Sequence, residues 1–429
     1  MHLAQFVHRY PPALGGAELY TARLCEYLAA CGDDVTVWTT TAVELNELWG
    51  VQGIRRLRLP TSANPQAAEN PLVNRYPPLH FPLRRYILKA ASLVPVRSWQ
   101  CLTTPCNPVC PQMWRDAGRY AGPLDAVHAT AFPYSFPILC GLRLARRRGV
   151  PFFITPFLHI GDTDDPNDRT RKQYTKPHLR WLLREADGIF VQTRTERDTA
   201  LSLGVREGRV HLQGLGVDPS ECTGGDRDNV RAAWKVECNE VVIGHLANNS
   251  EEKGTCDLLR VAERLWNAGQ RFRVVLAGPE MPNFRAFWEG FAMKQHVTRF
   301  GVLTDVQKRD FFAGIDVFAL PSRTDSFGLV LLEAWANGKP NLVYRAGGPG
   351  ELVQHERDGL QAKCGDVVEL SQHLARLVTN GELRCRLGDN GLSRIPSEFA
   401  WDRSLSLFRD VVADSQRVTS ELRVAATRP

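Results

Sequence analysis

No stretch of this 429-residue chain runs for about 18 uncharged apolar residues, the length a membrane-spanning helix needs, so no span is expected. The opening residues, MHLAQFVHRYPPALGG, give a short apolar strand followed by His, Arg and two prolines. That is not the make-up of a secretory leader, and a cytosolic location is the default expectation. The eleven cysteines fit no common zinc or iron–sulfur spacing. The nearest approach is Cys101, Cys106 and Cys110, which have interposed prolines and no fourth ligand nearby. Free buried thiols are the expectation, and no metal. One dense basic run, ARRRG at 145–149, comes without a nucleic-acid module, so nucleic acid is not an expected partner. No internal sequence repeat is visible.

What is present is a chain too long for one ordinary core, which argues for two domains. Net charge is +6 but uneven: residues 1–215 hold 26 Lys+Arg against 18 Asp+Glu, and residues 216–429 hold 27 against 29. A basic first half suits an anionic acceptor or peripheral contact with a membrane's inner face; a solvated arginine-rich face is the alternative. The spacing predicts a strand at 2–7, a turn with Gly15 and Gly16, a helix at 17–30 with Leu19, Ala22, Leu24, Tyr27 and Leu28 inward, and a strand at 33–40. Residues 60–120 read as a proline-rich, irregular insert. Within it FPLRRYILKAASLVPV (81–96) either packs on the domain or is an acceptor-side or interfacial element. Strand–helix alternation resumes at 124 and again at 240 after a linker at 221–229, and residues 347–350 read as a glycine-rich turn. The predicted class is α/β, with two doubly wound parallel sheets facing a central cleft. The predicted divisions are 1–219, 220–396 and a C-terminal helical segment, 397–429, expected to pack back on the first domain.

Four constellations fall at strand carboxyl ends, where ligands of such sheets sit. Gly15-Gly16-Ala17-Glu18 opens a helix; glycines let backbone approach a ligand, and a helix N-terminus favours anions. The turn lacks the full dinucleotide fingerprint, so NAD is not indicated. GHLANNSEEKG (244–254) offers His245, Asn248, Asn249, Ser250 and Lys253, the lysine well placed to neutralise a phosphate or simply exposed. In LPSRTDSFGLVLLEAWANGKP (320–340), Asp325, the amides of Phe327, Gly328 and Leu329, and Glu333 form a helix N-terminus flanked by two acids. A glutamate among apolar helix positions is costly unless it meets a partner. Carboxylates at both ends suit a polar ligand rich in hydroxyls. His128 and His159 each follow or end a first-half strand and are either structural or acceptor-side.

Together these motifs resemble the retaining glycosyltransferases of the GT-B fold, family 4, over nearly the whole chain. The paired-acid stretch 320–340 carries most of the resemblance, and GGAE, EKG, LQGLGVD and AGGPGELV occur in that family's order. The resemblance implies a metal-independent hexosyltransferase using a nucleotide-sugar donor and a glycan, lipid-linked or small-molecule acceptor, as in polysaccharide biosynthesis, with no cofactor. It implies that Lys253 grips the donor diphosphate, Asp325 holds hydroxyls of the transferred sugar and Glu333 the ribose. The 327–329 amides would lie near sugar and phosphates, with Gly15 and Gly16 closing on them and His159 near sugar and acceptor. Asp325 stands where the family usually has Glu, and His245 where it often has Arg in a shorter loop, which bears on donor choice. Asp162-Thr163-Asp164 resembles the metal-binding DxD of the other transferase fold, but the strand–helix organisation is not that fold's. Competing readings on the same architecture are a nucleotide-sugar epimerase, a sugar phosphorylase, or a sugar-nucleotide-binding protein without turnover.

Overall fold

The computed structural model describes residues 1–50, 70–237 and 239–426, with side chains described to 417. The chain divides by contact into two compact units. The first comprises Met1–Leu158, Lys172–Gln213 and the chain from Leu405 onward; the second comprises His159–Arg171 and Gly214–Ser404. The first unit therefore ends its main run at Gln213, and the short 159–171 segment belongs to the second.

In the first unit seven strands make one sheet: β1 (His2–Phe6), β2 (Asp34–Thr40), β3 (Leu72–Tyr76), β4 (Ala126–Thr130), β5 (Phe152–Thr155), β6 (Gly188–Val191) and β7 (Val210–Leu212). Their order is β3-β2-β1-β4-β5-β6-β7. Every pairing is parallel, with Leu3 opposite Val35 on one side and Ala126 on the other. The inner strands β4, β5 and β6 are buried along their whole length, as strands covered on both faces must be. The helix Trp401–Ala426 begins in the second unit and continues into the first from Leu405. There its Phe408 ring lies 4.7 Å from the His128 ring and 4.6 Å from Phe190.

In the second unit six strands make another parallel sheet: β8 (Val241–Leu246), β9 (Phe272–Ala277), β10 (Val297–Arg299), β11 (Val317–Leu320), β12 (Asn341–Tyr344) and β13 (Gly359–Ala362). The order is β10-β9-β8-β11-β12-β13. Both sheets thus run outward in two directions from a central pair, β1/β4 in one and β8/β11 in the other. Each such pair is a topological switch point, where adjacent loops part and leave room for a ligand. Among the described residues no helix is long and apolar enough to cross a membrane.

Four expectations need correction. The described part of the 60–120 insert is not irregular: it holds β3 and the helices Arg84–Ala91, Arg97–Thr103 and Pro111–Ala117, while 60–69 lie outside the described residues. An edge strand bracketed by Pro71 and Pro77 shows too little apolar alternation to be read as one. The linker at 221–229 includes the end of one short helix, Pro219–Cys222, and the start of another, Arg227–Ala233, each N-capped by an aspartate. The glycine-rich turn at 347–350 is the first turn of the helix Gly347–Leu352. In the helix Gly16–Ala30 the inward residue is Tyr20, not Leu19, which is exposed.

Candidate functional site

Three loops of the second unit leave neighbouring strands β8, β11 and β12 at their carboxyl ends. The β8 loop carries Lys253 to the start of the helix Thr255–Asn267. The β11 loop carries Asp325 to the helix Leu329–Ala336. Lys253 Nζ lies 2.6 Å from Asp325 Oδ2, both side chains about four-fifths covered. Close approach of these loops depends on glycine. Gly254 has φ +75°, and a Cβ there would stand 1.9 Å from the Pro321 carbonyl oxygen. Gly347, with φ +52°, backs the other side of the turn: its Cβ would stand 2.3 Å from the Asp325 carbonyl oxygen. The Gly348 amide donates to that same oxygen at 3.0 Å.

His159 joins this group through its Nδ1–H, which donates to the Thr324 carbonyl. Burial pushes its pKa down to about 4, Lys253 adding to the effect and Asp325 opposing it, so the ring is neutral near neutral pH. For Asp325, burial acts upward, but Lys253, His159 and the Phe327 amide outweigh it and hold the carboxyl below the ordinary value. Asp325 is therefore a fixed anion, an acceptor for hydroxyls. The sequence-predicted Lys253, Asp325, His159 and Phe327 are brought together. Gly328, with φ +92°, caps the following helix, which Leu329 opens.

Glu333 lies one turn into that helix, 8% exposed, and meets a partner the sequence did not reveal. Lys308, from the helix Asp305–Gly314, places Nζ 2.8 Å from Glu333 Oε1. Burial lifts the Glu333 carboxyl above its ordinary value and Lys308 only partly offsets this. The two acids thus have separate lysines. Asp325 precedes the helix, so fewer helical residues separate them than the eight positions in sequence suggest.

Two predicted histidines lie elsewhere. His245 is fully buried; its Nδ1–H donates to the Ala319 carbonyl at 2.8 Å and its Nε2 accepts from Thr255 Oγ1 at 2.9 Å. The ring ties β8 to β11 and to the helix behind Lys253, and presents neither nitrogen to a ligand. In the first unit His128 is 1% exposed, with Nδ1 donating to Gln5 Oε1 at 2.7 Å and Nε2 accepting from Thr155 Oγ1 at 2.8 Å. It is a core residue beneath Phe408 rather than a group facing an acceptor. Asn248 is exposed; Asn249 is buried and donates to the Gly278 carbonyl at 3.1 Å. Ser250 Oγ accepts from the Lys253 amide at 3.1 Å and so shapes the lysine's turn.

The first unit's glycine turn is built on a charge cluster that the sequence signalled only through the glutamate of GGAE. Glu18 is 3% exposed and its Oε1 lies 2.5 Å from Arg9 Nη2 and 3.2 Å from His8 Nε2. Arg9 also donates to the Val43 and Leu14 carbonyls, at 2.8 and 3.2 Å. A Cβ on Gly15 would stand 2.2 Å from Glu18 Oε2 and would push that carboxylate aside, and the helix starts at Gly16.

Among the described residues no group of three or more His, Cys, Asp or Glu is gathered as a metal site. Cys101 and Cys110 are buried free thiols whose S–H groups face the His178 and Tyr76 carbonyls. Asp162 Oδ1 accepts from the Asp164 amide at 2.9 Å, a local turn.

Two family models match adjoining parts of the chain: "Glycosyl transferase 4-like domain" over residues 15–216 and "Glycosyl transferases group 1" over residues 226–394. A D-inositol 3-phosphate glycosyltransferase of Saccharomonospora viridis is 28% identical over 62% of this chain and 64% of its own length. A lipopolysaccharide core biosynthesis glycosyltransferase, LpsD, of Rhizobium meliloti is 28% identical over 43% of this chain and 53% of its own length. The chain thus spans between half and two-thirds of these relatives. Among solved structures, Anabaena Alr3699/HepE in complex with UDP superposes with a TM-score of 0.67 at 16% identity, covering 96% of this chain and all of that one. Sucrose-phosphate synthase of Thermosynechococcus elongatus gives 0.69 at 18%, covering 96% and 99%. These likenesses are of fold, the GT-B pair of Rossmann-like domains.

Proposed function

We propose, because this chain belongs to the group 1 glycosyltransferases of GT-B fold, that it moves a sugar from a nucleotide donor to an acceptor hydroxyl with retention of configuration and without a metal. The observation that carries the reading is the Lys253–Asp325 pair at the carboxyl ends of β8 and β11, the switch point of the second sheet. A uridine diphosphate sugar is the donor we favour, since HepE is a structural relative solved with UDP and with UDP-glucose. On binding, the donor diphosphate takes Lys253 from Asp325. Asp325 is released to accept from sugar hydroxyls, while Glu333, still paired with Lys308, accepts from the ribose. As the glycosidic bond breaks, negative charge grows on the leaving diphosphate. Lys253 and the amides of Gly328 and Leu329 stabilise it most when it is largest. Neutral His159, its one N–H given to the Thr324 carbonyl, stands beside Asp325 with Nε2 to accept from a hydroxyl of the sugar or the acceptor. The basic first half favours a lipid-linked or polysaccharide acceptor met at the inner face of a membrane. A thermal-shift screen against nucleotide sugars tests the donor: one sugar nucleotide should raise the melting temperature by several degrees more than its bare nucleotide. Product NMR then tests retention: an inverted anomeric centre would end the retaining assignment.

A further inference from the structure

The helix Arg84–Ala91 is turned inside out. Its buried positions are Arg84 and Leu88, while Leu83 just before it, Tyr86 and Ile87 are 69%, 71% and 51% exposed. A surface helix ordinarily does the reverse, with its apolar stripe on the core. The rotation is set by Arg84. Its guanidinium donates to the Leu79 and Pro105 carbonyls at 3.2 and 3.3 Å and to the Asn107 carbonyl, so it is held inward by backbone acceptors. The next helix, Arg97–Thr103, is pinned back on the first: Trp99 Nε1 donates to the Ala91 carbonyl at 2.9 Å and Gln100 Nε2 to the Ser92 carbonyl at 3.1 Å. The connection between them exposes Leu93, 77%, and Val94, 46%. The result is a fixed helical hairpin with a mostly aliphatic outer face, flanked by exposed Arg85, Lys89 and Arg97.

Charge decides what this face meets. Between Glu69 and Asp116 the sequence has six Lys and Arg and no acid, and three of the six, Arg85, Lys89 and Arg97, stand exposed on the hairpin. A second copy of the chain would set like charge against like. An anionic bilayer accepts both features at once: the aliphatic groups and Trp99 enter the headgroup boundary, and the cations stay at the phosphate level. We propose that the outer face of the 83–99 hairpin docks on an anionic lipid bilayer. This deepens the membrane-side part of the proposed function and gives it a surface. The docking needs no step of sugar transfer.

The test is co-sedimentation with phosphatidylcholine vesicles carrying roughly a third phosphatidylglycerol, against pure phosphatidylcholine vesicles. Wild type should partition onto the anionic vesicles, and raising salt from about 0.1 M to about 1 M should weaken this. A triple variant, Tyr86→Ser with Ile87→Ser and Leu93→Ser, should lose partition by at least about tenfold while its melting temperature holds, because all three side chains are exposed. Arg85→Glu with Lys89→Glu should abolish the anionic preference, a second route if the triple variant melts early. Lys253→Ala should partition like wild type. Vesicle binding absent from a protein that still binds a nucleotide sugar overturns the docking alone. Partition unchanged in both surface variants, or self-association that the triple variant removes, also overturns it.

Discussion

Two buried ionisable residues carry the account at the scale of single side chains, and each makes a different demand. His245 must stay neutral: burial holds its pKa at about 4, against 6.5 for a free histidine, and its Nδ1–H and Nε2 serve Ala319 and Thr255. The unfolded chain takes up a proton between those values and the folded chain does not. This residue's contribution to stability is thus complete above 6.5 and is lost as pH falls toward 4. Urea melts across that window should show a steeper fall for wild type than for His245→Gln, which cannot titrate. Equal slopes would place the proton-linked loss elsewhere. Glu333 makes the opposite demand, since it must be ionised to accept from hydroxyls although burial raises its pKa. Removing Lys308 takes away the nearest compensating charge. Lys308→Ala is expected to raise the donor KM roughly tenfold, with kcat little changed and with recovery in Lys308→Arg. The defect should grow as pH is lowered, since Glu333 then protonates more readily. A flat pH profile would mean that Lys308 only packs.

At the scale of elements the site is a matter of how closely two turns can be stacked. Gly254 lets the lysine turn lie against Pro321, and Gly347 and Gly348 let the 347–352 helix lie against residues 325–327. Gly254→Ala combines a positive φ with an oxygen at 1.9 Å and should cost at least about 2 kcal/mol in chemical denaturation. It should also weaken donor binding, because Lys253 is the next residue. This arrangement was partly legible beforehand. The strand–turn–helix order, the acid pair and Lys253 follow from local pattern, and the buried inner strands are near-continuous apolar runs. Lys308 was not legible: it lies 25 positions from Glu333 on a helix that gives no sign of pointing there. The partners of His245 and His128 were not legible for a related reason. A histidine at a strand end can face a ligand or lock neighbouring strands, and only the neighbours' carbonyl and hydroxyl groups distinguish the two.

At the scale of the whole molecule, one sheet topology occurs twice without a matching sequence repeat, each copy with its switch point beside a glycine-bearing loop. The first unit is not finished by the first half of the sequence. Phe408, fully buried against His128 and Phe190, is supplied from the far end of the chain, and Arg409 Nε lies 2.7 Å from Asp33 Oδ2. Phe408→Ala should cost about 3–5 kcal/mol, read by urea denaturation followed at the first unit's tryptophans. A loss under about 1 kcal/mol would mean that the C-terminal helix is dispensable to that core. The central claim concerns the second unit, where a cation and an acid that neutralise one another in the free protein part to hold a nucleotide sugar. Calorimetric titration of wild type and Lys253→Ala with the nucleotide sugar chosen by the thermal screen addresses it most directly. The account expects saturable binding to wild type and at least about a tenfold weaker Kd in the variant. Equal affinity in the two proteins, or no nucleotide sugar bound by wild type, would contradict it.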